Sequence, residues 1–526
     1  MSAHCDSHGC SCCSSGLAAA FQAMQRAGLS RRNLLLSAGT AAVSSWAVTS
    51  ARAQSAAATA VTDTKPKYAP ADKLVIQPIL TYALPQRREQ TSWRPWGGIQ
   101  TEAHLAEEVK RIETELNIVV KAGKLPLEIK PVAKVCTAAE AAEASKLAAD
   151  VRVIYAAGGG RDVLDSVVVK DRPNIIFLRH RTGPVSLWYE ILHPHFLRRA
   201  TDQYADTGID VNDVVVDEYS DVVWRLRGLL ALRKTLGTRI VALGGALGWG
   251  AGRTLAPPIA RDKWHLDIRE VSYEDFAKKL QALQQNEAVV AEARKQADAY
   301  LKEPGVELHC DRAAVENAMV LTRAFKDLMA EHDAKAFTIG HCMGAVMPIS
   351  KTTACVPLSI LNDEGFLAFC ESDFVVIPSG ILMHHIMGTP VFLNDPTWPH
   401  HGIVTLAHCT APRKMDGKNC ERTKLYTHFE SDYGAAPKVE MTEGTVVTHV
   451  IPDFECRKWV GATGKIVGNP FHDICRAQID CTIDGDWQKL LQEMRGFHWM
   501  MVYGDCRKEV GYAIKHLGIE WEDVSA

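Results

Sequence analysis

The sequence predicts an α/β protein, with two α/β (Rossmann-like) domains followed by a β-rich C-terminal domain. Three observations predict it. The chain has 526 residues, and at about 150 residues per domain that means two to four domains. From about residue 73 to residue 400, short apolar runs alternate with segments of helical period, the pattern of a mostly parallel sheet covered by helices. Beyond residue 400 the runs are short, strand-like and broken by Gly and Pro. The organisation expected is a signal region (1–53), a linker (54–72), a first α/β domain (73–236), a second (237–400) and the β-rich domain (401–526).

Composition narrows the class. Hydrophobic residues make up 47% and charged residues 23%, which excludes a disordered or fibrous chain. A formal net charge of −3 gives no electrostatic case for nucleic-acid binding. After the first fifty residues no apolar run reaches about 18 residues, which excludes a polytopic membrane protein.

The elements follow in order. Leu74 to Leu80 is an apolar strand bounded by prolines. Thr101 to Leu116 is a helix, with Leu105, Val109, Ile112 and Leu116 on one face. Leu127 to Val135 reads as a strand, Thr137 to Ala149 as an Ala-rich helix, and Val151 to Tyr155 as a strand ending in a Gly158-Gly159-Gly160 turn. Ile175 to Arg179 and Val214 to Val216 continue the strands, and Asp221 to Leu236 is a helix. The second domain opens with the strand Arg239 to Leu243. Its Gly244-Gly245-Ala246-Leu247-Gly248-Trp249-Gly250 fits neither a dinucleotide fingerprint nor a P-loop and reads as a tight βα turn. Helices follow at Tyr273 to Leu283, Asn286 to Tyr300 and Arg312 to His332, then a strand at Ala336 to Gly340. In the last domain Ile403 to His408, Lys424 to Phe429, Thr445 to Val450 and Lys465 to Val467 are strands, closed by helices at Trp487 to Met494 and Cys506 to His516.

The N-terminus reads as an address. Ser30-Arg31-Arg32-Asn33-Leu34-Leu35 precedes a mild apolar run, Leu36 to Val48, and the small-x-small site Ala51-Arg52-Ala53. These are the three parts of a twin-arginine export signal. The expected location is periplasmic or secreted, with the twin-arginine translocase as a transient partner and no lasting membrane anchor. Cys5, Cys10, Cys12 and Cys13, with His4 and His8, lie upstream of the cleavage site and leave with it. The other eleven cysteines form no C-x-x-C pair and are expected as free, mostly buried thiols.

Chemistry is expected between Cys370 and His408. Glu371 and Asp373 follow one apolar run, Asp395 follows Val391-Phe392-Leu393, and His408 ends Val404 to Ala407. Acidic and imidazole groups at strand ends stand where sheet-based sites form. Their oxygen and nitrogen donors suit a divalent metal such as manganese, magnesium or zinc. A helix over Ile381 to Met387 connects the acidic strand ends. His341 ends another strand pointing at this region. His384, His385, His400 and His401 are expected at the surface or behind the site.

Several motifs resemble the L-fucose isomerase-like sugar isomerases. They are Cys370-Glu371-Ser372-Asp373, Met387 to Asp395, Leu406-Ala407-His408-Cys409, His428-Phe429-Glu430, and Gly496-Phe497-His498 leading to Val502-Tyr503-Gly504-Asp505. Ser92-Trp93-Arg94-Pro95-Trp96-Gly97-Gly98 resembles the family's aromatic loop. The resemblance implies a manganese-type ion held by Glu371, Asp395 and His498. Many relatives carry a second histidine where this chain has Trp499. Were that second residue the ligand, His408 would be the nearest replacement.

The function expected is a metal-dependent aldose–ketose isomerase acting on a fucose- or arabinose-like monosaccharide through an enediol. Glu371 and Asp395 would be both ligands and acid–base groups. Trp93, Arg94, Trp96, His341 and His428 are the expected sugar-binding residues, and a homo-oligomer is the expected assembly. A non-catalytic carbohydrate-binding protein on the same scaffold, and an epimerase or lyase using the same site, remain open alternatives.

Overall fold

The computed structural model describes residues 71–94, 99–182 and 208–526. The expected export signal, the cysteine cluster before it, almost all of the expected linker and Trp96 lie outside the described residues. The architecture is mixed α/β, with two parallel sheets and a closed β-barrel.

The first sheet comprises β1 (Leu74–Thr81), β2 (Leu127–Ile129), β3 (Ala133–Val135), β4 (Val151–Ala156), β5 (Asn174–Leu178) and β6 (Val214–Val216). Every pairing is parallel. All residues of β4 and β5 are buried, as expected of strands covered on both faces. The single strand expected over Leu127 to Val135 is instead two short strands, both beside β1. Pro131 lies in the break, and its carbonyl accepts from the Gln77 side chain at 2.9 Å. A proline lacks the N–H that a continuous ladder needs. The Ala-rich helix is shorter than expected, Ala138–Ser145, and opens with a capping box between Thr137 and Glu140. A helix at Arg161–Val167 follows the triple-glycine turn.

The second sheet has the order β11-β10-β7-β8, all parallel, from β7 (Arg239–Leu243), β8 (Asp267–Val271), β10 (Ala336–Ile339) and β11 (Leu367–Cys370). Apolar clusters cover both faces, one built on Ile240, Phe369 and Ile381 and the other on Val241, Phe325 and Phe337. Gly244 makes the turn after β7 with φ +83°. A Cβ there would stand 2.5 Å from the Tyr273 ring, so the glycines serve turn geometry. Helices Cys342–Ser350 and Cys355–Asp363 follow β10. Both are apolar segments that periodicity did not resolve.

β9 (Val306–Leu308) leaves this region and pairs in parallel with β14 (Arg422–His428), which pairs antiparallel with β15 (Tyr433–Glu440). The barrel runs β16 (Val446–Pro452), β19 (Trp499–Tyr503), β12 (Phe392–Pro396), β13 (Ile403–His408), β18 (Ala477–Thr482), β17 (Lys458–Gly468) and back to β16. β20 (Glu520–Asp523) adds to β17. Asp395, expected in the second α/β domain, therefore sits on a barrel strand. Phe392, Leu406, Ile451, Trp499 and Met501 fill the barrel.

Helix Arg507–Lys515 joins the barrel to the first sheet. It packs on helix Tyr219–Thr235, where a Cβ on Gly228 would stand 2.7 Å from the Glu509 carbonyl oxygen. Tyr512 Oη donates to Asp213 at 3.0 Å. Among the described residues no single helix is long and apolar enough to cross a membrane.

Candidate metal centre

The site is built where the second sheet meets the barrel. β11 ends at Cys370, and the next two residues, Glu371 and Ser372, have φ of +63° and +50°. Two consecutive non-glycine residues in the left-handed region are costly and persist only when their surroundings hold them. Here Ser372 Oγ donates to the Gly245 carbonyl at 2.9 Å, and the Ser372 carbonyl accepts from the Leu247 N–H. The loop after β11 is thus fastened to the loop after β7.

Register supplies the other side. In the barrel Asn394 stands opposite Trp499, and Asp395 opposite Ala407. His498 directly precedes Trp499, and His408 directly follows Ala407. Side chains alternate along a strand, so Trp499 enters the barrel core while His498 turns the other way, toward Asp395. His498 Nε2 lies 3.3 Å from Asp395 Oδ1 and 3.4 Å from Glu371 Oε2. His408 Nε2 lies 3.7 Å from Glu371 Oε1. Position 499 is therefore a packing position. Trp499 is buried beside His449, and its identity removes no donor from the site.

Asp373 orients His498. Its Oδ2 accepts from His498 Nδ1 at 2.7 Å, and its Oδ1 accepts the main-chain N–H of Trp249 and Val375 at 3.3 and 3.1 Å. With Nδ1–H committed to Asp373, Nε2 is the ring atom that faces the two carboxylates. His408 is set similarly, its Nδ1 3.0 Å from Thr410 Oγ1. Ligating histidines are commonly fixed in this way by a hydrogen bond at the other ring nitrogen.

The donor set fits a divalent cation. His498 Nε2, His408 Nε2 and Glu371 Oε2 are buried atoms with no hydrogen-bond partner. Donor atoms of Asp395, His408 and His498 lie within 4.8 Å of one another, as do those of Cys370, Glu371 and His408. Buried polar groups left unpaired are destabilising, and a cation among them would remove that penalty. Burial opposes charge on His498, but Asp373, Glu371 and Asp395 outweigh it and hold its pKa up at about 10. Burial also opposes charge on His408, and Glu371 and Asp395 raise it nonetheless. Burial alone would raise Glu371; the two imidazoles bring it well below the usual carboxylate range. The neighbouring Cys342 thiol, together with burial, pushes the Cys370 thiol well above its ordinary value.

An aromatic wall stands beside the centre. Trp249 and Phe497 stack with centroids 4.5 Å apart, and Trp249 meets the His498 ring edge-on at 5.8 Å. Both are exposed, at 36% and 41%. Neither was expected as a site residue. The one signal was a lone tryptophan within a run of glycines.

The structure thus brings together Glu371, Asp395, His408 and His498. His341 is exposed at the end of β10, next to Cys342, with a left-handed backbone. His428 is buried at the end of β14, its Nδ1 3.1 Å from Ser431 Oγ. Arg94 lies over the Trp93 ring at 5.0 Å. His384 closes its own helix, Ile377–Met387, against the Thr389 carbonyl at 2.9 Å. His400 and His401 are exposed. The eleven cysteines of the described residues are all free thiols. No family model and no curated protein matches the chain.

Proposed function

We propose that the chain is an exported, metal-dependent aldose–ketose isomerase acting on a fucose- or arabinose-like monosaccharide. One observation carries this reading. Glu371, Asp395, His408 and His498 come from segments far apart in sequence, yet their nitrogen and carboxylate donors converge within 3.3–3.7 Å of one another. Manganese is the ion that the resemblance implies. The Rossmann-like character of the parallel sheets, twin-arginine export and a homo-oligomeric assembly belong to the same reading.

Glu371, Asp395 and His498 would hold the ion, with His408 as a further donor. Bound there, a divalent cation would polarise the carbonyl of an open-chain sugar and acidify the adjacent hydroxyl. The chain's own groups do the rest. Glu371 would take the proton from C2 of the aldose, leaving an enediolate, and would return that proton to C1, while Asp395 would carry the hydroxyl proton from O2 to O1. Asp373 keeps the His498 ring aimed at the carboxylates. Trp249 and Phe497 offer an apolar face to the C–H side of a sugar and exclude water from that side.

The test is metal content and aldose–ketose conversion on the purified mature protein with L-fucose, D- and L-arabinose and other common aldoses. Turnover that needs the metal and is lost in Glu371→Gln is expected. Bound metal without turnover on any sugar would shift the reading to an epimerase or lyase. Neither metal nor turnover would leave a binding protein and overturn the proposal.

A further inference from the structure

The centre has more donors than three oxygen and nitrogen ligands, and the extra one is sulfur. Cys370 is buried at 6% exposure. Its Sγ, a Glu371 carboxylate oxygen and a His408 ring nitrogen all lie within 4.8 Å of one another. His408 is 3% exposed and its Nε2 has no hydrogen-bond partner, so the sulfur is not the only feature pointing to a ligand here. This set shares His408 with the Asp395–His408–His498 set. Glu371 reaches both, through Oε1 toward His408 and Oε2 toward His498.

The backbone explains why two consecutive residues serve one site. In a regular strand Cys370 and Glu371 would point to opposite faces. The left-handed conformation of Glu371 breaks that alternation, and both side chains reach His408. Cys342 lies beside Cys370 within thiol hydrogen-bonding reach.

We propose that Cys370 is a ligand of the metal centre and that the site accordingly takes a thiophilic divalent cation, of the Fe2+, Co2+ and Zn2+ class, in preference to Mn2+. Oxygen and imidazole donors alone serve Mn2+ well, whereas a thiolate favours softer ions. Ligation is a proton-for-metal exchange. The S–H bond breaks, its proton passes to solvent, the sulfur lone pair binds the cation, and no oxidant or reductant takes part. The inference rests on the metal centre proposed above and is independent of the sugar.

The test uses the full mature chain, stripped of metal and loaded with Co2+. Cobalt held by nitrogen and oxygen shows weak visible bands, and a thiolate ligand adds an intense near-ultraviolet charge-transfer band. The parent is expected to show both. Cys370→Ser should lose the charge-transfer band, keep the visible bands, and narrow the preference for Co2+ over Mn2+ by tenfold or more. Cys409→Ser and Cys475→Ser should keep both bands. On the zinc-loaded parent, X-ray absorption should find a sulfur neighbour at about 2.3 Å, a result that needs no variant to fold. Visible bands without a charge-transfer band, or a band that survives Cys370→Ser, overturns sulfur ligation and leaves the oxygen–nitrogen centre standing. Failure of the parent to bind cobalt or zinc at all overturns both.

Discussion

Asp373→Asn tests the logic of the centre without removing any of its donors. The Asp373 carboxylate is fully buried and accepts from three N–H groups, two main-chain and one from His498 Nδ1. An asparagine has one oxygen. If that oxygen keeps the N–H groups of Trp249 and Val375, the amide NH2 faces His498 Nδ1. The ring then moves its proton to Nε2, the atom 3.3 and 3.4 Å from Asp395 and Glu371, and loses its ligating lone pair. Restoring the lone pair sets N–H against N–H and forfeits a buried hydrogen bond, which costs about 1–3 kcal/mol. The expected loss of metal affinity is about 10- to 100-fold, equivalent to roughly 1.4–2.7 kcal/mol. Titration calorimetry of Co2+ or Zn2+ into metal-free protein measures it, with circular dichroism as a check on folding. A folded variant that binds metal within twofold of the parent would refute the role given to Asp373.

Other outcomes follow from the same geometry. Glu108→Ala removes one carboxylate from Arg179, which is fully buried and paired with it at 2.6 Å. The expected destabilisation in urea is about 3 kcal/mol, at the low end for a broken buried pair because Glu115 remains at 2.9 Å. His449 is fully buried, and burial lowers its pKa from 6.5 to about 4. Its folded-state value lies below the unfolded one, so the stability it contributes is present above pH 6.5 and lost as pH falls toward 4. The acid-side fall in melting temperature over that window should be smaller in His449→Leu than in the parent. Trp249→Ala removes one face of the stacked wall. It should raise KM for the sugar by about 2- to 12-fold, as expected for a stacking contact of 0.5–1.5 kcal/mol, and leave metal affinity unchanged in calorimetry.

Much of the fold was legible locally. Val214–Val216 and Ile403–His408 have the limits that their apolar runs imply, because the runs end in charges or turns. Leu127 to Val135 misled because its apolar residues span a proline break that only pairing with β1 reveals. β15 was missed because it carries Pro437 and the buried Lys438, whose ammonium reaches the Pro470 carbonyl at 2.8 Å, a partner 32 residues away. The helices after β10 were missed because their residues are apolar on every side.

By itself the sequence determined the kinds of donor present and their stations at strand ends, since a carboxylate or imidazole after an apolar run is a local pattern. It left open which histidine faces the site. Tertiary structure decided that through register. Asn394 opposite Trp499 puts His498 across from Asp395 and sends Trp499 into the barrel, and the end of β13 leaves His408 Nε2 3.7 Å from Glu371. It also brought Asp373, Trp249 and Cys370 to the same point, through a left-handed turn at Glu371 and a loop fastened to Gly245. Such proximities depend on contacts between segments distant in the chain, and a local pattern of residue types carries no record of them.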